Sequence, residues 1–219
     1  VVVPLVPLSL EQRLGEATLE WLDGELTHPS ELPAAQRSDI ARRFATMLEA
    51  GQRSGSSGLA AQTAPPPPAY QLHFRQSRIG PNAFALPGGA IVLTDEMVAL
   101  MPDDDAIMGV LAHELGHALS AHPLKQAVLL GIVASVKLSI GVPVGAVVVI
   151  LMAYLFMLRE WEFIADAVAV TKTNVTDVRA AFAEYRAISG EANMSRFSEF
   201  FSGHPSIHRR LAAINARAM

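Results

Sequence analysis

The segment His113-Glu114-Leu115-Gly116-His117, set between Val110-Leu111-Ala112 and Ala118-Leu119, constrains this chain more than any other. Its flanks are apolar, uncharged and free of proline, as in a helix threaded through a core. On a helix, residues four apart share a face about one turn apart. His113 and His117 can therefore present two imidazoles to one point. Buried imidazoles and carboxylates need partners, and a metal ion supplies one. Glu114 projects beside the pair, where it can take a proton from a metal-bound water. The pattern is H-E-x-x-H, that of zinc hydrolases. Surface histidines without a metal are the plainer alternative, and the apolar flanks weigh against it.

A catalytic zinc site has three protein ligands and one open position. The chain has no cysteine, so thiolate ligands are excluded. The extension H-E-x-x-H-x-x-G-x-x-H is absent, because Ser120 stands where its glycine would be. Glu162 and Asp166 lie four apart in a largely apolar, helical-looking stretch. Glu162 is the expected third ligand. Asp166 is placed to accept a hydrogen bond from a ligand histidine and so fix its tautomer. Glu160 is the rival ligand, but Arg159 beside it suggests an exposed ion pair. Imidazole and carboxylate suit several divalent metals; one zinc ion per chain is the expectation.

Upstream, residues 70–75 alternate apolar and polar side chains, as in a half-buried strand. Ile79-Gly80-Pro81 breaks it, Asn82–Leu86 can form a second strand, Pro87-Gly88-Gly89 turns the chain, and Ala90–Thr94 returns it. The expected result is a small antiparallel meander beside the metal helix. Prolines at both ends of the middle strand mark it as an edge. Asn82 either contacts substrate or ties down the turn.

Four segments together resemble the M48 family of metallopeptidases: Asn82–Gly89, His113–His117, Glu162–Asp166, and His204-Pro205-Ser206 with Arg210-Leu211. That group includes the CAAX prenyl proteases, the HtpX-like heat-shock proteases and the periplasmic and mitochondrial quality-control proteases. The segments fall in the family's order across residues 70–217. The resemblance implies that His113, His117 and Glu162 bind zinc and that Glu114 is the general base. It implies that Asp166 orients a ligand histidine. It places His204 near the open coordination site, either stabilising the oxyanion or blocking the metal, with Arg210 supporting that loop. It also implies that an extended polypeptide adds as a strand along Asn82, Ala83, Phe84 and Ala85. No role falls to His28, His73, His122 or His208.

Net charge is −4 with a pI near 6.0, which leaves no basic footprint for nucleic acid. Hydrophobic residues make up 51% and charged residues 17%, an unusually apolar balance for an enzyme. The excess is concentrated in residues 127–158, and residues 138–158 carry no charge. Three readings stay open for this stretch: a buried helical hairpin turning at Gly141-Val142-Pro143, a hairpin lying against a membrane, and a spanning pair. The apolar start, Val1–Leu8, suggests the remnant of an N-terminal anchor. Ser9-Leu10-Glu11-Gln12 is a capping-box pattern for a first helix to about Leu26, and a second helix is expected over 38–50.

The expected organisation is a helical N-terminal extension (1–50), a Gly/Ser/Pro-rich linker (51–69) and a metallopeptidase domain (70–219). The fold class is α+β, zincin-like of the gluzincin type, mostly helical around the small sheet. The expected function is zinc-dependent endopeptidase activity on extended or misfolded polypeptides, as part of protein quality control in a bacterial cell envelope. A latent, zinc-loaded member acting as a chaperone-like binder is the alternative. A CAAX-type processing enzyme would need a multi-span chamber for which the sequence has too few apolar segments.

Overall fold

The computed structural model describes residues 6–55, 69–140, 144–189 and 206–217. His204, the hairpin turn at 141–143 and the first five residues lie outside the described residues. The elements in chain order are α1 (Leu8–Glu25), β1 (Thr27–Pro29), α2 (Ala34–Gly55), β2 (Gln71–Ser77), β3 (Ala83–Ala85), a 3-10 turn at Pro87–Gly89, and β4 (Ala90–Thr94). There follow α3 (Asp95–Leu100), α4 (Asp104–Leu119), α5 (His122–Ile140), α6 (Val144–Lys172), α7 (Val175–Ser189) and α8 (Ile207–Arg217). Helices dominate and the sheet is small, as an α+β zincin requires.

The sheet has four strands in the order β1-β2-β4-β3 and is mixed. β1 and β2 are antiparallel, β3 and β4 are antiparallel, but β2 and β4 run parallel. The all-antiparallel meander is thus corrected: β4 inserts between β2 and β3. The reason is apolar content. Ile91, Val92 and Leu93 of β4 are fully buried, and a strand covered on both faces belongs in the centre. β3, an Ala-Phe-Ala strand near Pro81 and Pro87, takes the edge.

The two faces of β4 serve two clusters. Val92 packs with Leu22 and Leu86 beneath α1, while Ile91 and Leu93 join the main core with residues of α2, α4 and α7. The N-terminal segment therefore does more than extend the domain. It contributes β1 to the sheet, and Ile40, Phe44 and Met47 of α2 to the main core. Ser9 does not cap α1: Pro7 is the N-cap residue, with no side-chain cap bond. α2 is also longer than expected, running on to Gly55.

α4 starts on Asp103, whose carboxylate accepts from the Ala106 N–H at 2.8 Å. Asp104 and Asp105 in its first turn complement the positive end of the helix dipole. Two glycines seven apart then let neighbours in. A Cβ on Gly109 would sit 2.8 Å from the Asp177 carbonyl oxygen at the start of α7. A Cβ on Gly116 would sit 2.7 Å from the Ala165 carbonyl oxygen of α6. This second approach brings together the two helices that carry the candidate ligands.

The charge-free run 138–158 is not one helix, since α5 ends at Ile140 and α6 begins at Val144. The Gln126 side chain of α5 donates to the Tyr154 hydroxyl of α6 at 2.7 Å. No helix among the described residues is long and apolar enough to cross a membrane. Leu130 and Phe156 on these helices are 51% and 66% exposed.

Candidate metal centre

α4 and α6 bring His113, His117 and Glu162 together, with one ligand atom from each inside 4.8 Å of the others. The His113 and His117 Nε2 atoms are 3.1 Å apart. Glu162 places Oε2 3.4 Å from His113 Nε2 and Oε1 3.4 Å from His117 Nε2. Glu162 is buried, while Glu160 is exposed and takes no part. Helical spacing accounts for both sides: i and i+4 on α4 give the imidazoles, and i and i+4 on α6 give Glu162 and Asp166.

Asp166 is buried and meets His113 Nδ1 at 2.9 Å with Oδ1. It also accepts from Arg210, Nη2 to Oδ1 at 2.7 Å and Nε to Oδ2 at 2.9 Å. Burial works to raise the Asp166 pKa, but the hydrogen bonds from Arg210 and His113 prevail and hold it below the usual carboxylate range. Arg210 itself is 6% exposed. Its Nη1 lies 3.0 Å from Glu162 Oε2, and its guanidinium stacks 4.2 Å over the Phe182 ring. The resemblance assigns Arg210 to the loop of His204. In the fold its guanidinium sits in the metal cluster, where it offsets two buried carboxylates.

Glu114 is half-buried, and its Oε2 accepts from the Ala85 backbone N–H at 2.9 Å. The pairing pattern explains why that N–H is free. The Leu86 N–H donates to the Ala90 carbonyl, and the Thr94 N–H donates to the Asn82 carbonyl. Every second residue of β3 therefore faces β4, and Ala83 and Ala85 point their backbone groups outward. The Ala83 N–H is taken by Asn82 Oδ1 at 2.9 Å. Asn82 thus ties down the start of the strand as well as lining the cleft. That cleft, about 610 Å³, runs between β3 and the His113–His117 face, with Trp161 and Phe182 on its walls.

Sequence pattern gives His122 no role, yet the fold places it against the metal cluster. It is 2% exposed, places Nδ1 3.0 Å from His117 Nδ1, and stacks on Trp161 with ring centroids 4.7 Å apart and an interplanar angle of 6°. Burial first, and the nearby His117 second, push its pKa down to about 3. The one available signal is its position just beyond the end of α4. Ala121, with φ of 51°, turns the chain there and folds His122 back.

Burial and the Arg210 guanidinium act to depress the His113 pKa. Hydrogen bonds to Asp166 and Glu162, with the Glu162 charge, outweigh them and lift it to about 9. A folded-state pKa above the unfolded value stabilises the metal-free protein fully below about pH 6.5, and that stabilisation is lost as pH rises through about 9. Urea denaturation of chelator-treated protein should show stability falling across this window. His113→Gln should remove that fall.

The sequence matches peptidase family M48 over residues 51–218. It is 29% identical over 159 residues to the mitochondrial metalloendopeptidase OMA1 of Saccharomyces cerevisiae, covering 65% of this chain and 45% of that one. The fold superposes on the crystal structure of Ste24p from S. mikatae with a TM-score of 0.61 at 15% identity. That match covers 92% of this chain and 55% of the other. The chain thus spans about half the length of the relatives it matches.

Proposed function

The chain belongs to peptidase family M48, and on that footing we propose that it is a zinc-dependent endopeptidase acting on extended polypeptide. The observation that carries this is the clustering of the donor atoms: His113 Nε2 and His117 Nε2 lie 3.1 Å apart, and Glu162 sets Oε2 3.4 Å from the first and Oε1 3.4 Å from the second. Ligands ~2.0–2.1 Å from a tetrahedral zinc ion lie roughly 3.3–3.4 Å apart. Two imidazoles and one carboxylate are a catalytic donor set, which leaves a fourth position for water or substrate.

A bound zinc ion would supply Lewis acidity, lowering the pKa of water and polarising a carbonyl. The residues of this chain do the rest. Glu114 takes the proton of the attacking water and delivers it to the departing amine. Its Oε2 is anchored on the Ala85 N–H, so Oε1 remains for the proton. Asp166 holds His113 with Nδ1 protonated and Nε2 toward the metal. Arg210 holds Asp166 ionised and sets a positive charge 3.0 Å from Glu162 Oε2.

Substrate adds along β3, whose outward backbone groups at Ala83 and Ala85 border the cleft. Asn82 Oδ1 stands in for that strand at the Ala83 N–H when it is absent, while Glu114 keeps the Ala85 N–H throughout. The quality-control role implied by the resemblance stays with this reading. Exposed Leu130 and Phe156 support contact of α5 and α6 with a bilayer surface, in an envelope setting.

The test is cleavage of denatured casein with zinc quantified in the purified chain. One zinc per chain, cleavage stopped by a chelator and restored by zinc, is the expected result. A chain that takes up no divalent metal would sink the reading. Ala85→Pro gives a finer check. Proline is tolerated on an edge strand where its N–H would face outward, so the fold should survive. Glu114 loses its anchor, and kcat should fall by about 10- to 100-fold, as when a supporting contact is removed, with zinc content unchanged.

A further inference from the structure

We propose that His122 is a positioning residue that holds the metal ligand His117 in the tautomer protonated at Nδ1. The inference rests on the metal-site reading above. His117 directs Nε2 toward His113 and Glu162. A ligating nitrogen carries no proton, so the proton of His117 sits on Nδ1. That atom lies 3.0 Å from His122 Nδ1. Of two nitrogens at this distance one donates and the other accepts, so His122 Nδ1 is the acceptor. The proton of a neutral His122 then sits on Nε2.

The cost of this arrangement points to a role. His122 Nε2 is buried with no hydrogen-bond partner among the described residues. A buried orphan donor costs about 1–3 kcal/mol, and a phenylalanine could make the same stack on Trp161 without it. The residue therefore contributes through its acceptor nitrogen, and a stacking role alone does not account for it. Two different devices thus orient the two imidazoles, the Asp166 carboxylate behind His113 and the His122 imidazole behind His117. A carboxylate behind His117 would add another buried negative charge to a cluster that already holds Glu114, Glu162 and Asp166. An imidazole orients the ring without adding charge.

The test compares His122→Phe and His122→Gln with the parent chain, reading zinc affinity by chelator competition. The imidazole proton of His117 is followed by nitrogen–proton correlation in the zinc-loaded protein. We expect His122→Phe to bind zinc about 10- to 100-fold more weakly, while its metal-free form melts no lower than the parent. His122→Gln, whose amide oxygen can accept, should recover part of the loss. The parent should show a proton on His117 Nδ1. Zinc binding by His122→Phe equal to the parent, or a parent His117 without an Nδ1 proton, overturns the inference while leaving the metal site standing. A parent chain that binds no zinc overturns both. If His122→Phe fails to fold, the parent spectrum and the His122→Gln affinity still decide.

Discussion

Glu114→Gln should abolish turnover while leaving zinc in place. The substitution removes one ionisable oxygen and almost no volume. Its amide oxygen can keep the bond from the Ala85 N–H, so the side chain stays where Glu114 stands. The metal ligands are untouched, because none of the three ligand atoms belongs to Glu114. What disappears is the ability to take and return a proton, a contribution of about 10²- to 10⁴-fold. Denatured-protein cleavage and metal content, measured on the same preparation, check it. Loss of zinc along with activity would mean that Glu114 holds the site together, and the proposed division of labour would be wrong.

Gly116→Val should separate α4 from α6 and cost both stability and metal affinity. The first added carbon would already lie 2.7 Å from the Ala165 carbonyl oxygen and 2.8 Å from its Cα. Both are backbone atoms, so a rotamer change gives no relief. Overpacking of this kind costs typically about 1–3 kcal/mol, and in a chain of this size each ~1 kcal/mol lowers Tm by roughly 2–4 °C. The effect on the site is larger than on the fold. His113 and His117 sit on one helix and Glu162 on the other, and a displacement of ~1 Å at a reacting centre can cost about 10²-fold in rate. Gly131→Ala on α5 is the control. A Cβ there meets nothing within 4 Å, and helix propensity alone should stabilise it by about 1 kcal/mol. A Gly116→Val chain that melts like the parent and holds zinc as tightly would show that the helix crossing is not what sets the site.

Much of the centre was legible because its parts are local. His113 with His117, and Glu162 with Asp166, are pairs whose geometry follows from one helical turn. Their apolar neighbours announce burial, and Arg159 marks Glu160 as outward. Edge status for β3 could be read from its flanking prolines. What depends on long-range contact was not legible. Nothing near residue 210 says that its guanidinium will meet carboxylates at 162 and 166. Strand order was missed because β4 reaches β2 across a gap in sequence, and the deciding factor, burial on both faces, is a tertiary property. β1 is three residues ending in proline, too short to register as a strand. His122 was hidden by the turn at Ala121: periodicity read along α4 stops before it, and the return path is set by a single positive φ.

The turn that closes the edge strand is held from outside the site. Gly88 adopts φ of 78°, and its N–H donates to Glu11 Oε1 at 3.1 Å. On the facing helix, a Cβ on Gly15 would collide with the Pro87 carbonyl oxygen. No methyl group fits between α1 and that turn, so the helix is a rigid stop against which β3 is set. Yet α1 lies wholly outside residues 51–218, the part matched to the family. The placement of the strand that borders the cleft is therefore fixed from a segment that carries none of the proposed chemistry. Change in that helix offers a lineage a way to reset the strand beside the cleft, while every proposed metal ligand and the proposed proton carrier stay as they are.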